Sequence, residues 1–424
     1  MTPGPFSSRS LTDPETECNN RPSLESLLSE NFVSHAEHHE HDDIVYPSAI
    51  GFVLVHLACL AAIWTGVSVL SLALCVGLYL LRMFAITAGF HRYFSHRSFK
   101  TSRFFQFLLA FIGQMSAQSG HLWWAAKHRE HHTHSDAPTD VHSPAQHGFF
   151  FAHVGWIFRR NHREADYGSI PDLTRYPELV WLDKRHVFPA ATLALICLAI
   201  DGWTGLIVGF AWSTVLTYHG TFAINSLAHV YGNQRYVTGD DSRNNFWLAL
   251  ITLGEGWHNN HHYYQASTRQ GFRWWEIDPT YYALKALSWI GVVRDLRSPP
   301  EEVLAGDRSL PRPIVERVAQ ELAAGFKLEE LSQQARTCLA EKMDNLERGL
   351  VNLRDRGTEA REQLAAMLDD VQLPELPTLE DLENRARETL AHTPSLNEIV
   401  ARAHEILIET LLDNWQPQGL EAPA

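Results

Sequence analysis

The sequence predicts an all-α integral membrane protein: four transmembrane helices paired into two hairpins, with a helical, histidine-rich cap on one side. Three observations predict it. Apolar stretches come in two pairs, at about 45–65 with 67–90 and about 187–200 with 206–228. The segment joining the pairs is rich in Lys and Arg, whereas the two hairpin tips, at Gly66 and at Asp201-Gly202-Trp203-Thr204-Gly205, carry neither. The chain also has 24 histidines, many of them clustered just outside the apolar stretches.

Residues 1–43 come first. This arm is polar and acidic and is broken by Pro3, Pro5, Pro14 and Pro22, so it reads as a disordered tract without a signal peptide. Its His35, His38, His39 and His41 stand among Glu37, Glu40, Asp42 and Asp43 and read as solvated rather than as a metal site. The membrane domain is expected over 44–298. Each apolar run is near the ~20 residues that cross a bilayer, the one at 187–200 being the shortest. With two hairpins, the amino terminus, the central loop and everything after the fourth span share one side. Arg97, Lys100, Arg103, Lys127, Arg129 and Lys184 in that loop place this side in the cytoplasm. A bacterial inner membrane is preferred to the endoplasmic reticulum. Apolar stretches at 104–118 and 246–253 are too short to span and are expected to lie at the interface.

Beyond Pro299-Pro300 the composition shifts to Leu, Ala, Glu and Arg, and 299–424 reads as a helical, acidic extension. Its helices are expected over 313–371 and 379–414, with Pro374 and Pro377 between. A formal charge of −14 argues against a nucleic-acid binder. Cys18, Cys59, Cys75, Cys197 and Cys338 form no C-x-x-C pair, which argues against a disulfide framework, a thiolate zinc site and an iron–sulfur cluster.

The chemistry lies in three clusters on the cytoplasmic side: His91-Arg92-Tyr93-Phe94-Ser95-His96, His128-Arg129-Glu130-His131-His132 and His258-Asn259-Asn260-His261-His262. In the last two, the i, i+3, i+4 spacing stacks imidazoles on one helical face, so one segment can ligate one metal or reach toward a second. In the first, residues five apart diverge by about 140° on an α-helix, so the helix is expected to end within the motif. A single such cluster is as readily a solvated surface feature. Three clusters beside a membrane are not. Neutral nitrogen donors suit iron, and a dinuclear site held by imidazole can activate dioxygen when electrons are supplied.

These motifs, in this order and with Gly254-Glu255-Gly256-Trp257 leading into the third, resemble the membrane fatty acid desaturases, specifically the delta-9 acyl-CoA (stearoyl-CoA) type. Gly89-Phe90-His91-Arg92, the stretch from Gly148 to Trp156, and Asn225-Ser226-Leu227-Ala228-His229 resemble further family motifs. The resemblance covers roughly 44–296. It implies a cytoplasmic cap holding two iron ions on nine ligands, His91, His96, His128, His131, His132, His229, His258, His261 and His262, with Asn225 holding a metal-bound water. Asn225 and His229 do share a helical face, although His229 taken alone reads as a core histidine.

The activity implied is oxygen-dependent insertion of a cis double bond, at delta-9, into a saturated acyl chain carried on coenzyme A, a phospholipid or a carrier protein. Tyr79 and Met83 stand where the family closes its acyl tunnel, with ordinary core packing as the alternative. Arg159 and Arg160 match basic positions that contact coenzyme A phosphates, or they serve lipid head groups. The chain carries no His-Pro-Gly-Gly haem motif, ferredoxin cysteines or dinucleotide-binding glycine fingerprint, so electrons from NAD(P)H are expected through a separate cytochrome b5, ferredoxin or reductase. The alternatives are a membrane di-iron hydroxylase of a lipid or hydrocarbon, and a membrane metal-binding protein without activity.

Overall fold

The computed structural model describes residues 46–159, 164–326, 333, 337 and 377–414. The expected amino-terminal arm with its histidines, Arg160, and most of the long helix expected to end at 371 lie outside the described residues. Helix α1 (Tyr46–Cys59) continues through a short turn of helix, Ala62–Thr65. The chain reverses at Gly66 into α2 (Val69–Phe84), whose start is fixed by a reciprocal cap between Ser68 and Ser71. Helix α2 runs directly into a π-helix, Ala85–Ser95. The cap begins with α3 (Arg103–Gln114) and α4 (His121–His134). Helix α4 lacks a local capping side chain; Asp183 Oδ1 instead accepts from Leu122 N at 2.8 Å and Trp123 N at 3.3 Å.

Helix α5 (Val187–Thr204) breaks at Asp201 and Gly202, where φ is −138° and 58°. After this break the chain returns through a π-helical stretch, Gly205–Trp212, into α6 (Ser213–Ser226). The two tips meet: Ser68 Oγ donates to Asp201 Oδ2 at 2.6 Å and Thr204 Oγ1 to the Thr65 carbonyl at 3.0 Å. The turns at the expected tips are thus held together. The segments Val69–Ser95 and Val187–His229 are long and apolar enough to cross a membrane, and Ile50–Thr65 is apolar but shorter. Ile50, Leu54, Leu57, Val69, Val76 and Leu195 are exposed on these helices, as side chains facing lipid would be.

Helices α7 (Phe246–Ile251), α8 (His258–Tyr263) and α9 (Pro279–Trp289) complete the cap. A two-stranded antiparallel sheet pairs Lys100 with Arg294 and Thr101 with Val293, so the end of the cap is fastened beside the first histidine cluster. Phe90, Phe94, Leu109, Leu122, Leu179 and Leu284 form the core beneath these helices.

The extension contributes α10 (Arg312–Ala324), α11 (Leu379–Thr389) and α12 (Leu396–Asn414). The single helix expected over 379–414 is thus two, parted around Pro394, which has no amide hydrogen to donate and disfavours helix at the residue before it.

Candidate metal centre

The helix of the first cluster ends within the motif, at Ser95 with His96 as its cap, but its form departs from the expected α-helix. The segment stays helical to Ser95 but in π form, and the His96 amide reaches the His91 carbonyl at 3.2 Å. An i→i+5 bonded turn brings residues five apart onto one face, so the His91 and His96 rings stand 4.8 Å apart. Helix α4 presents His128 and His132 on one face and His131 beside it. Helix α8 has only six residues, too few to hold itself in water, and the two asparagines within its motif anchor it. Asn259 Oδ1 accepts from Arg235 N and Tyr236 N, each at 2.8 Å, while its Nδ2 donates to the Tyr236 carbonyl. Asn260 accepts from Asn244 Nδ2 at 2.8 Å and donates to Glu276 Oε2 at 2.9 Å.

The nine histidines converge as two nitrogen pockets. His91, His96, His128, His132 and His261 form one; His131, His229, His258 and His262 form the other. Each HxxHH segment is therefore shared: α4 gives two imidazoles to the first pocket and one to the second, and α8 the reverse. In the first pocket the Nε2 atoms follow one another at 2.9–3.0 Å, from His91 to His261, His132, His128 and His96. In the second, His229 Nε2 lies 3.1 Å from His258 Nε2.

Hydrogen bonding does not account for this convergence. A neutral imidazole has one N–H, yet His261 Nε2 stands equally close to His91 and His132, while the buried Nδ1 atoms of His261, His132 and His258 and Nε2 of His262 have no partner among the described residues. Nitrogens about 3 Å apart are what neighbouring ligands at about 2.1 Å from one ion present. The donor set fits metal ions.

Carboxylates fix the orientation of these rings. His229 Nδ1 donates to Asp136 at 2.8 Å, His131 Nδ1 to Asp140 at 3.1 Å and His262 Nδ1 to Asp240 at 2.6 Å, and His91 Nδ1 meets Glu255. Because a carboxylate only accepts, each Nδ1 carries the proton and each Nε2 lone pair faces its pocket. Burial pushes the Asp136 carboxyl up, but His229, Ser143 and the Asp241 amide outweigh it and hold it at about 2. Asp240 is likewise held well below the usual carboxylate range, its burial overcome chiefly by His262. Glu255 is shared with Arg92, which is fully buried and also holds Asp278 at 2.9 Å and the Thr268 carbonyl at 2.8 Å. Gly254 makes room for this assembly. With φ at 119°, a side chain there would be strained, and its Cβ would lie 2.4 Å from Asp278 Oδ1.

Burial, and then the neighbouring imidazoles, hold His258 and His261 well below the usual histidine range, and His96, His128 and His132 follow suit. Neutral nitrogens stand ready for a cation. As pH falls through about 6.5, the unfolded chain takes up protons that these folded imidazoles refuse, so stability falls. Unfolding of the metal-free protein in detergent, followed from pH 5 to 8, is expected to show stability rising toward about pH 7 and levelling off above it. Stability unchanged across that window would contradict it.

The other candidate residues are placed as follows. Asn225 is half-buried, one helical turn before His229. Met83 is buried, and it and Tyr79 both face Gly220 of α6, with Tyr79 Oη donating to the Ile251 carbonyl at 2.6 Å. Arg159 lies with its guanidinium 4.4 Å from the Phe151 ring centre. Of the four orienting carboxylates, Glu255 stands in the Gly254–Trp257 stretch singled out in the sequence, though without a role there; Asp136, Asp140 and Asp240 were not singled out, although Asp136 and Asp140 stand in a short His- and Asp-containing segment just after the second cluster.

An apolar helical scaffold that gathers histidines into two nitrogen pockets able to hold metal ions defines the class of protein. Residues 53–288 match the fatty acid desaturase family model, and the chain belongs to the fatty acid desaturase family. It is similar to an acyl-CoA C20 Delta5-desaturase of Anemone leveillei, 36% identical over 251 residues, covering 58% of this chain and 80% of that protein. It is also similar to an sn-1 stearoyl-lipid 9-desaturase of Anabaena variabilis, 37% identical over 213 residues, covering 50% and 78%. The chloroplastic palmitoyl-monogalactosyldiacylglycerol delta-7 desaturase of Arabidopsis thaliana is 37% identical over 242 residues, covering 56% and 64%. These names support a membrane oxidoreductase acting on fatty acyl chains, but they differ in double-bond position and acyl carrier.

Proposed function

We propose that the chain is a di-iron, oxygen-dependent desaturase that introduces a cis delta-9 double bond into a saturated acyl chain. The observation that carries this reading is the pair of pockets with five and four converging imidazoles. Iron bound there would supply the oxidising power that an unactivated C–H bond requires, drawing electrons from NAD(P)H through separate redox proteins. His91, His96, His128, His132 and His261 would hold one ion and His131, His229, His258 and His262 the other. Asn225 would hold a water beside the second. Asp136, Asp140, Asp240 and Glu255 keep the protons on Nδ1 and the lone pairs inward.

Four membrane crossings with the cap in the cytoplasm are supported by the joined hairpin tips and by exposed Trp64 and Trp203 near them, as at a bilayer interface. Coenzyme A is the proposed carrier, on the strength of Arg159 beside the cap. The acyl-lipid names among the relatives favour a phospholipid-linked chain as the second reading. The test is fatty-acid profiling of a desaturase-deficient host expressing the chain. A delta-9 monounsaturated product supports the reading, and a hydroxylated acyl product sinks it. Labelled acyl-CoA offered to purified membranes, against the same chain on phospholipid, separates the carriers.

Met83, packed with Tyr79 against α6, is proposed to close the acyl tunnel and favour palmitoyl over stearoyl chains. Met83→Ala should shift the product ratio toward the longer chain by several-fold. An unchanged ratio in the same profile would remove Met83 from that role.

A further inference from the structure

We propose that the carboxy-terminal extension is a buttress for the second nitrogen pocket, with Arg317 as its positioning residue. The inference rests on the di-iron reading above. Two of the carboxylates that orient this pocket, Asp136 and Asp240, lie on separate loops without regular secondary structure. The backbone immediately before each is held by one nitrogen of one side chain. Arg317 Nη1 donates to the Ser135 carbonyl at 2.7 Å and to the Gly239 carbonyl at 2.9 Å. The loops also meet directly, where Asp241 N donates to Asp136 Oδ2 at 2.9 Å, the same oxygen that accepts from His229.

Both segments turn through left-handed backbone. Asp136 has φ at 56°, a left-handed conformation uncommon outside glycine. Gly239 has φ at 72° and lies under α10, where a Cβ would stand 3.1 Å from Ile314 Cγ2. The helix that bears down on it is itself anchored. Val315, Val318 and Leu322 share one buried apolar cluster with Tyr236 and Val237 of the loop and with Ile399 and Leu407 of α12. Arg402 of α12 holds Glu316 through both carboxylate oxygens, at 2.8 and 3.0 Å. The residues matched to the family end at 288, so this support comes from outside the matched region.

The positioning is specific to one pocket. The first pocket takes its orienting carboxylate, Glu255, from the Arg92 assembly, which Arg317 does not touch. The test is iron per chain in the purified full-length protein, for the wild type, Arg317→Ala and Arg317→Lys. Wild type is expected to hold two irons. Arg317→Ala should fall to one, and lysine, which keeps donors for both carbonyls, should restore the second. Two irons retained by a folded Arg317→Ala, or one iron in a folded Arg317→Lys, overturns the proposal. If the alanine variant does not fold, Arg317→Met takes its place, since it keeps the aliphatic packing without the donors: one iron supports the buttress and two overturn it. A wild type without two irons would instead overturn the di-iron reading itself.

Discussion

Replacing His261 by alanine is expected to abolish double-bond formation. Its Nε2 sits at 2.9 Å from both His91 and His132, so it joins the contribution of the π-helix that follows α2 to that of α4. No other side chain of α8 enters the first pocket, and the ring is buried at 1% exposure, so water cannot take its place without a cavity. Losing even a group that merely orients a ligand costs about 10–100-fold in metal affinity or activity; losing the ligand itself should cost at least the upper end of that range. The measurement is monounsaturated product in an expressing host, with protein abundance checked by immunoblot. Conversion within a few-fold of wild type would show that His261 does not hold a required metal.

The largest effect on stability is expected at Arg92. Its guanidinium is buried with Glu255 and Asp278, and removing it leaves two carboxylates without their counter-charge in a dry interior. Breaking a buried pair from one side costs about 3–5 kcal/mol. Arg92→Ala should therefore lower the unfolding midpoint in detergent markedly. It should also reduce iron content, since Glu255 would no longer be held against His91 Nδ1. An unchanged midpoint would mean that the assembly adds nothing to the fold.

Much of this was legible in the sequence because imidazole spacing and apolar length are local signals. The HxxHH segments and the break at Asp201-Gly202 needed no tertiary information. The π-helix was not legible: Ala85–Ser95 has no composition that separates it from an α-helix, and only the need to bring His91 and His96 together points to it. The three aspartates escaped for another reason. Asp240 reaches His262 across 22 positions and Asp136 reaches His229 across 93, so their roles come from folding and not from spacing. The motif reading gave α8 its ligands but not the work of Asn259 and Asn260, which fasten that short helix to the loop before it. Arg317 stood in an amphipathic helix whose sequence gave no sign of a partner.

The most direct test of the two-pocket account is Mössbauer spectroscopy, with quantified iron, on protein purified from an iron-57-fed host. Two irons per chain in distinguishable environments are expected, one for the five-imidazole pocket and one for the four-imidazole pocket. A single iron per chain, or a protein loaded with another metal and still forming double bonds, would contradict it.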